Sequence, residues 1–159
     1  MTPLYSRALV GERAFGKAPK GKHINLTVVG AVALDGIRAL MAYEGGTTKI
    51  AFLRFVQEAL APSLRVGDVV VMDNLGAHYT KGVREAIEAV GASVMYLPPY
   101  SPELNPIEHT WSKLKGQLRR AEARTLRALS AALEDSSSTI TRADLAGWFD
   151  GCGYPAQSV

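Results

Sequence analysis

The chain has 159 residues and a net charge of +3, with 47% hydrophobic and 21% charged residues, the balance of one soluble domain with its own core. Its single cysteine, Cys152, excludes an internal disulfide framework and fits a reducing cytosol. No apolar run reaches the roughly 20 residues of a membrane helix, and the N-terminus lacks a signal-peptide core.

Residues 1–22 carry Arg7, Arg13, Lys17, Lys20 and Lys22 against Glu12, broken by Gly11, Gly16, Pro19 and Gly21. This predicts a looped basic arm, either solvated or in contact with phosphates. Residues 23–34 are rich in β-branched side chains and predict a strand. Asp35-Gly36 is a hairpin signal, and residues 37–43 return as the partner strand. Thr47 or Thr48 can cap a helix over residues 49–60, with Ile50, Leu53, Phe55, Val56 and Leu60 as its apolar stripe.

Residues 68–72 predict a strand that is apolar on both faces, as a central strand is. A helix is expected over residues 80–90, ended by Gly91, and a strand over 93–97. Pro98, Pro99 and Pro102 stiffen the next loop, because each ring fixes φ and restrains the residue before it. Asn105 and Pro106 suit the cap and first position of a helix running to about Arg120. A last helix is expected over residues 125–141, followed by a fraying tail in which Trp148 and Phe149 dock on a surface. The order predicts a mixed α/β layer with helices covering a sheet.

Asp73 ends the buried strand, and sites in open α/β sheets form beyond such ends. An Asp-Asn pair after a strand also forms simple turns, so Asp73 alone is ambiguous. Glu108 alone fits a capping box with Asn105. Together, separated by thirty-four residues, they read as two acids brought together to hold divalent metal. Phosphodiester chemistry needs an activated nucleophilic oxygen and a stabilised leaving oxygen, and two metal ions about 4 Å apart serve both. Mg²⁺ prefers oxygen ligands and keeps several waters, so a few carboxylates suffice. Zinc is not expected, because His23, His78, His109 and Cys152 include no close-spaced pair. His78 reads either as a plain loop residue or as a contact to phosphate or nucleophile.

The helix after Asn105 has two stripes. Ile107, Trp111, Leu114 and Leu118 should face the core, and Glu108, Ser112, Lys115 and Arg119 lie beside them. From His109 to Arg127 the cations Lys113, Lys115, Arg119, Arg120, Arg124 and Arg127 face one acid, Glu122. Such a run is usually a solvated face. Beside a metal site it reads as a phosphate track, with Lys113, Lys115, Arg119 and Arg120 as DNA contacts.

The segments VVMDNLGAH and LPPYSPELNPIEHTWSKLK resemble the second and third acidic motifs of DDE transposases, in the bacterial insertion-sequence branch related to mariner elements. The resemblance extends from SRALVGERAFGKAPKG near Tyr5 through LDGI to the closing GCGY. It implies a ribonuclease-H-like fold over residues 1–159 as a single domain. It also implies Mg²⁺- or Mn²⁺-dependent cleavage and strand transfer of transposon ends. Asp73 and Glu108 are then metal ligands and catalytic residues, with Asn105 and His78 as supporting positions. DNA ends and target DNA are the implied partners, in the cytoplasm at the nucleoid and away from membranes.

The chain also departs from the pattern. The family's first acid ends the first sheet strand, and this sequence starts after that point. Asp35 sits in a hairpin turn and does not fill the role. No separate helix-turn-helix domain is present. The missing strand normally lies between the second and fourth, so its loss leaves ladder groups unpaired. The expectation is a catalytic-domain portion that does not cut DNA alone, acting as a homodimer or with the product of an upstream reading frame. Two other readings stand beside it. One is a non-catalytic DNA-binding or regulatory remnant. The other is a nucleotide-binding enzyme, disfavoured because no glycine-rich phosphate loop is present.

Overall fold

The structure, a computed structural model, describes residues 9–13, 25–121 and 125–154. Most of the expected basic arm lies outside the described residues, as do His23, Arg124 and residues 155–159. Strands β1 (Leu26–Ala33) and β2 (Gly36–Glu44) form the expected hairpin around Leu34 and Asp35. Its register shifts between Ala31 and Val32, so that Ala31 pairs with Ala39 and Val32 with Ile37. The irregularity sits beside the turn, where a bulge adds twist.

Helix α1 (Lys49–Phe55) starts at Thr48, whose hydroxyl accepts from the Ala51 amide at 3.1 Å. It continues as a π-helical turn over Val56–Leu60 and a 3-10 turn over Ala61–Ser63. Strands β3 (Val69–Met72) and β4 (Ser93–Tyr96) pair in parallel, joined by α2 (Val83–Glu88). The expected start of α2 at Thr80 is corrected: Gly82 caps the helix with φ +97°, and a residue in that region cannot continue a right-handed helix.

Helix α3 (Pro106–Ala121) buries Leu114 and Leu118 and exposes Glu108, Ser112, Lys115 and Arg119, as the two stripes predict. The expected single last helix is also corrected. It is two helices, α4 (Leu126–Ser137) and α5 (Arg142–Gly151), so the supposed tail is helical as far as Gly151. Thr141 ends the break with a capping box, its hydroxyl accepting from the Asp144 amide at 3.1 Å while the Asp144 carboxylate accepts from the Thr141 amide at 2.8 Å.

Alternation along the strands assigns two helical layers. Val29 and Ala31 of β1 and Val70 and Met72 of β3 pack with Phe52, Phe55, Val56, Leu60, Val83 and Ile87. Val28 of β1 and Leu40 of β2 face the other way, against Leu118, Leu129 and Leu133. Helices α1 and α2 therefore cover one side, and α3 and α4 the other.

The strands make two separate two-stranded sheets, β1–β2 and β3–β4, rather than one continuous sheet. Among the described residues no strand pairs with the outer edge of β1 or of β3. A cavity of about 670 Å³ lies between those edges. Arg65 bonds Asp35 at 3.3 Å, tying the end of β1 to the approach to β3. No helix among the described residues is long and apolar enough to cross a membrane.

Candidate functional site

Strand β3 delivers Asp73 at its carboxyl end, where the chain leaves the ladder. The Asp73 Oδ1 accepts from the Leu75 amide at 3.0 Å, a turn that short acidic side chains favour. The same oxygen lies 2.8 Å from Nδ1 of His78. That ring nitrogen also faces the Asp73 carbonyl at 3.1 Å. A nitrogen directed at two acceptors carries the hydrogen, so Nδ1 donates and Nε2 is left for other partners. The His78 ring packs on Phe52 with centroids 4.3 Å apart. The Oδ2 of Asp73 has no bonding partner among the described residues, and the side chain is 52% exposed.

Neighbouring bonds fix this loop to β4. Asn74 donates to the Leu97 carbonyl at 2.6 Å, and Tyr96 donates to the His78 carbonyl at 3.1 Å. Tyr79 donates to the Asn74 side chain and stacks on Tyr96 with centroids 4.3 Å apart. The ends of β3 and β4 thus hold the Asp73 loop from both sides.

Asn105 and Pro106 start α3 and place Glu108 in its first turn. The Asn105 side chain accepts from the Ile107 amide at 3.4 Å. The capping-box alternative for Glu108 is not realised, since its carboxylate makes no hydrogen bond or ion pair among the described residues and is exposed. Asp73, His78, Asn105 and Glu108 all border the cavity between β1 and β3. The fold therefore places residues from two distant motifs on the lining of one cavity.

The basic residues of α3 divide. Lys113 donates to Asp144 at 2.6 Å and to the Thr139 carbonyl at 3.0 Å, fastening α3 to α5. This pairing holds the Asp144 carboxyl down to about 2 from its ordinary 3.8, helped by the Thr141 amide and hydroxyl. Gln117 adds a bond to the Thr139 hydroxyl at 2.7 Å. Lys115, Arg119 and Arg120 are exposed and have no ion-pair partner among the described residues.

Sequence reasoning missed Phe52 beneath His78, the Tyr79–Tyr96 stack and the role of Gly30. A Cβ at Gly30 would lie 3.2 Å from the Trp111 ring and 3.1 Å from the Ala39 carbonyl, so glycine lets α3 lie close on β1. Only the aromatic residues flanking the motifs hinted at the first two.

Two exposed carboxylates suit a hard divalent cation that retains water, and neither supplies the sulfur or paired imidazoles that zinc favours. Among the described residues no group of three or more His, Cys, Asp or Glu is arranged to hold a metal.

The chain resembles solved transposase structures across most of its length. It matches the Mos1 strand transfer complex with a TM-score of 0.70 at 15% identity, over 94% of this chain and 45% of that one. It matches the Mos1 mariner paired end complex with Mn at 0.68 and 19% identity, over 93% and 46%. It matches the Mos1 transposase catalytic domain, solved with raltegravir and Mg, at 0.63 and 17% identity, over 83% and 76%. The chain therefore spans less than half the length of the first two chains. These likenesses establish the ribonuclease-H-like fold. No curated protein matches significantly. The sequence itself matches the family described as DDE superfamily endonuclease over residues 1–130. With most of its length inside that match, the chain belongs to the DDE superfamily of endonucleases.

Proposed function

We propose that this chain is the catalytic portion of a transposase of the bacterial insertion-sequence branch related to mariner, and that it acts on DNA with Mg²⁺ or Mn²⁺. The observation that carries the reading is the pair Asp73 and Glu108, two exposed carboxylates from separate motifs that line one cavity. Asp73 offers Oδ2, because Oδ1 is held by Leu75 and His78. Glu108 offers its whole carboxylate. When bound there, a divalent cation supplies charge neutralisation of the phosphate and an acidified water. His78 orients Asp73, and Asn105 fixes the helix start that presents Glu108. Lys115, Arg119 and Arg120 follow Glu108 along α3 and contact the DNA backbone. Lys113 joins them only by giving up Asp144.

The reading includes incompleteness. Two acids hold one cation poorly for both cutting and joining, and the described residues offer no third beside them. Completion comes from the product of an upstream reading frame, and the assembly is a dimer acting at the nucleoid. A non-catalytic DNA-binding protein is the second reading, favoured by that same lack of a third ligand.

The test is cleavage of a labelled element end with Mg²⁺ or Mn²⁺, first with this chain alone and then with the upstream product added. Cutting in the mixture only is the expected result. Cutting in neither, with DNA binding retained, would favour the second reading.

A further inference from the structure

We propose that Tyr79 is a stacking platform for an unpaired nucleobase of a DNA strand lying at Asp73. This rests on the DNA reading above and adds to it a base-binding position that the two carboxylates do not supply.

The ring is the outer member of an aromatic column. Tyr79 stacks on Tyr96 with centroids 4.3 Å apart and ring planes 15° from parallel. Tyr96 is itself rooted, since it packs against the core and donates to the His78 carbonyl at 3.1 Å. The guanidinium of Arg84 lies over the Tyr96 ring, 5.7 Å from its centroid. The Tyr79 hydroxyl donates to the Asn74 side chain, which in turn donates to the Leu97 carbonyl at 2.6 Å. One face and the hydroxyl of Tyr79 are thereby fixed. Tyr79 is nevertheless 53% exposed, so the uncovered part of the ring is its second face.

A tyrosine that served only packing would bury its ring and leave the hydroxyl to find a partner. Here the contacts set the orientation of the ring, and none covers its outer face. A ring already held loses little freedom when a flat partner settles on it. In a DNA-acting site that partner is a nucleobase, because every base has a π-face. The base must be unpaired and unstacked, since inside a duplex its neighbours cover both faces.

The position suits such a base. Asn74, which holds the hydroxyl, follows Asp73 in the chain. His78, whose Nδ1 lies 2.8 Å from Asp73 Oδ1, precedes Tyr79. The platform therefore stands beside Asp73 rather than on a remote face. Lys81 is exposed and has no ion-pair partner among the described residues, leaving a cation for an adjacent phosphate. The nearby acids are engaged: Glu85 accepts from the Gly82 amide at 2.7 Å, and Glu88 pairs with Arg84 at 3.3 Å. Tyr100 is wholly exposed, but among the described residues no stack or side-chain hydrogen bond holds its ring. Such a loose ring loses rotamer freedom on binding, which Tyr79 has already lost.

The experiment uses the full chain in metal-free buffer, with a labelled single strand of about ten nucleotides and the duplex of the same sequence. Tyr79→Leu removes the ring, and Tyr79→Phe keeps it and gives up only the bond to Asn74. Tyr79→Leu should bind the single strand about tenfold more weakly and the duplex within about twofold of the parent. Tyr79→Phe should stay within about twofold of the parent on both. A single strand carrying 5-iodouracil, irradiated in the near ultraviolet, should cross-link the parent at Tyr79. The proposal is overturned if the parent does not bind the single strand, or if Tyr79→Leu binds it as the parent does. It is also overturned if Tyr79→Leu weakens both DNAs equally while melting like the parent, or if the cross-link falls on Tyr100 or elsewhere. Should Tyr79→Leu not fold, the cross-link in the parent decides alone. No readout depends on cleavage. A parent that binds duplex but fails the Tyr79 arms loses only this proposal, and a parent that binds neither DNA loses the DNA reading as well.

Discussion

Nδ1 of His78 lies 2.8 Å from Oδ1 of Asp73, the oxygen that also accepts from the Leu75 amide, while Oδ2 has no partner among the described residues. One oxygen of the carboxylate is thus immobilised and the other is presented. The ring that achieves this rests on Phe52, so core packing reaches the site through a single contact.

Substitution of His78 by Phe separates these roles. The ring would remain against Phe52 while the donor to Asp73 is lost. Thermal stability should stay near that of the parent, and Mn²⁺ affinity should fall about tenfold, as for other residues that orient a ligand. Titration of Mn²⁺ by electron paramagnetic resonance reads the change.

The Lys113–Asp144 pair predicts a pH signature. The Asp144 carboxyl is held at about 2 in the folded chain, against an ordinary 3.8. A depressed carboxyl adds stability above its unfolded value and loses it as pH falls through the folded one. The difference in melting temperature between parent and Asp144→Asn should be largest above pH about 4 and shrink towards pH about 2. Thermal melts across that window check it.

This pair also marks how far the sequence could be read. The Asp35-Gly36 hairpin, the apolar β3 and the two stripes of α3 follow from local pattern, and all appear in the structure. Asp144 lies 31 residues from Lys113, so no spacing on α3 could show that this cation is already engaged. The break between α4 and α5 was legible in principle, since Thr141 and Asp144 have capping-box spacing, but the apolar residues on either side hid it. The late start of α2 depends on the backbone angle at Gly82. The Asp73–His78 bond depends on how a loop folds back, which sequence order does not encode.

Charge on α3 should govern DNA affinity unevenly. Replacing Lys115, Arg119 and Arg120 together by Gln should reduce the slope of log affinity against log salt by about two to three, at about 0.9 per phosphate contact. Replacing Lys113 by Gln should change that slope little and lower the melting temperature instead. Salt-dependent anisotropy with a labelled duplex distinguishes the two.

Gly30 should resist even the smallest side chain. The added methyl in Gly30→Ala meets Leu40 Cδ1 at 3.0 Å, the Ala39 carbonyl at 3.1 Å and the Trp111 ring at 3.2 Å. The backbone oxygen cannot yield without shifting β2. A loss of about 1–3 kcal/mol is expected, the usual cost of overpacking, and urea unfolding measures it.

The most direct measurement compares parent, Asp73→Asn and Glu108→Gln in the reconstituted mixture with the upstream product, following metal-dependent cleavage of a labelled element end. Both substitutions keep size and remove charge, and both sites are exposed, so folding and DNA binding should be retained. The account predicts that each variant binds the DNA and that neither cuts it. Cleavage at the parent's rate by either variant would contradict the assignment of these two carboxylates.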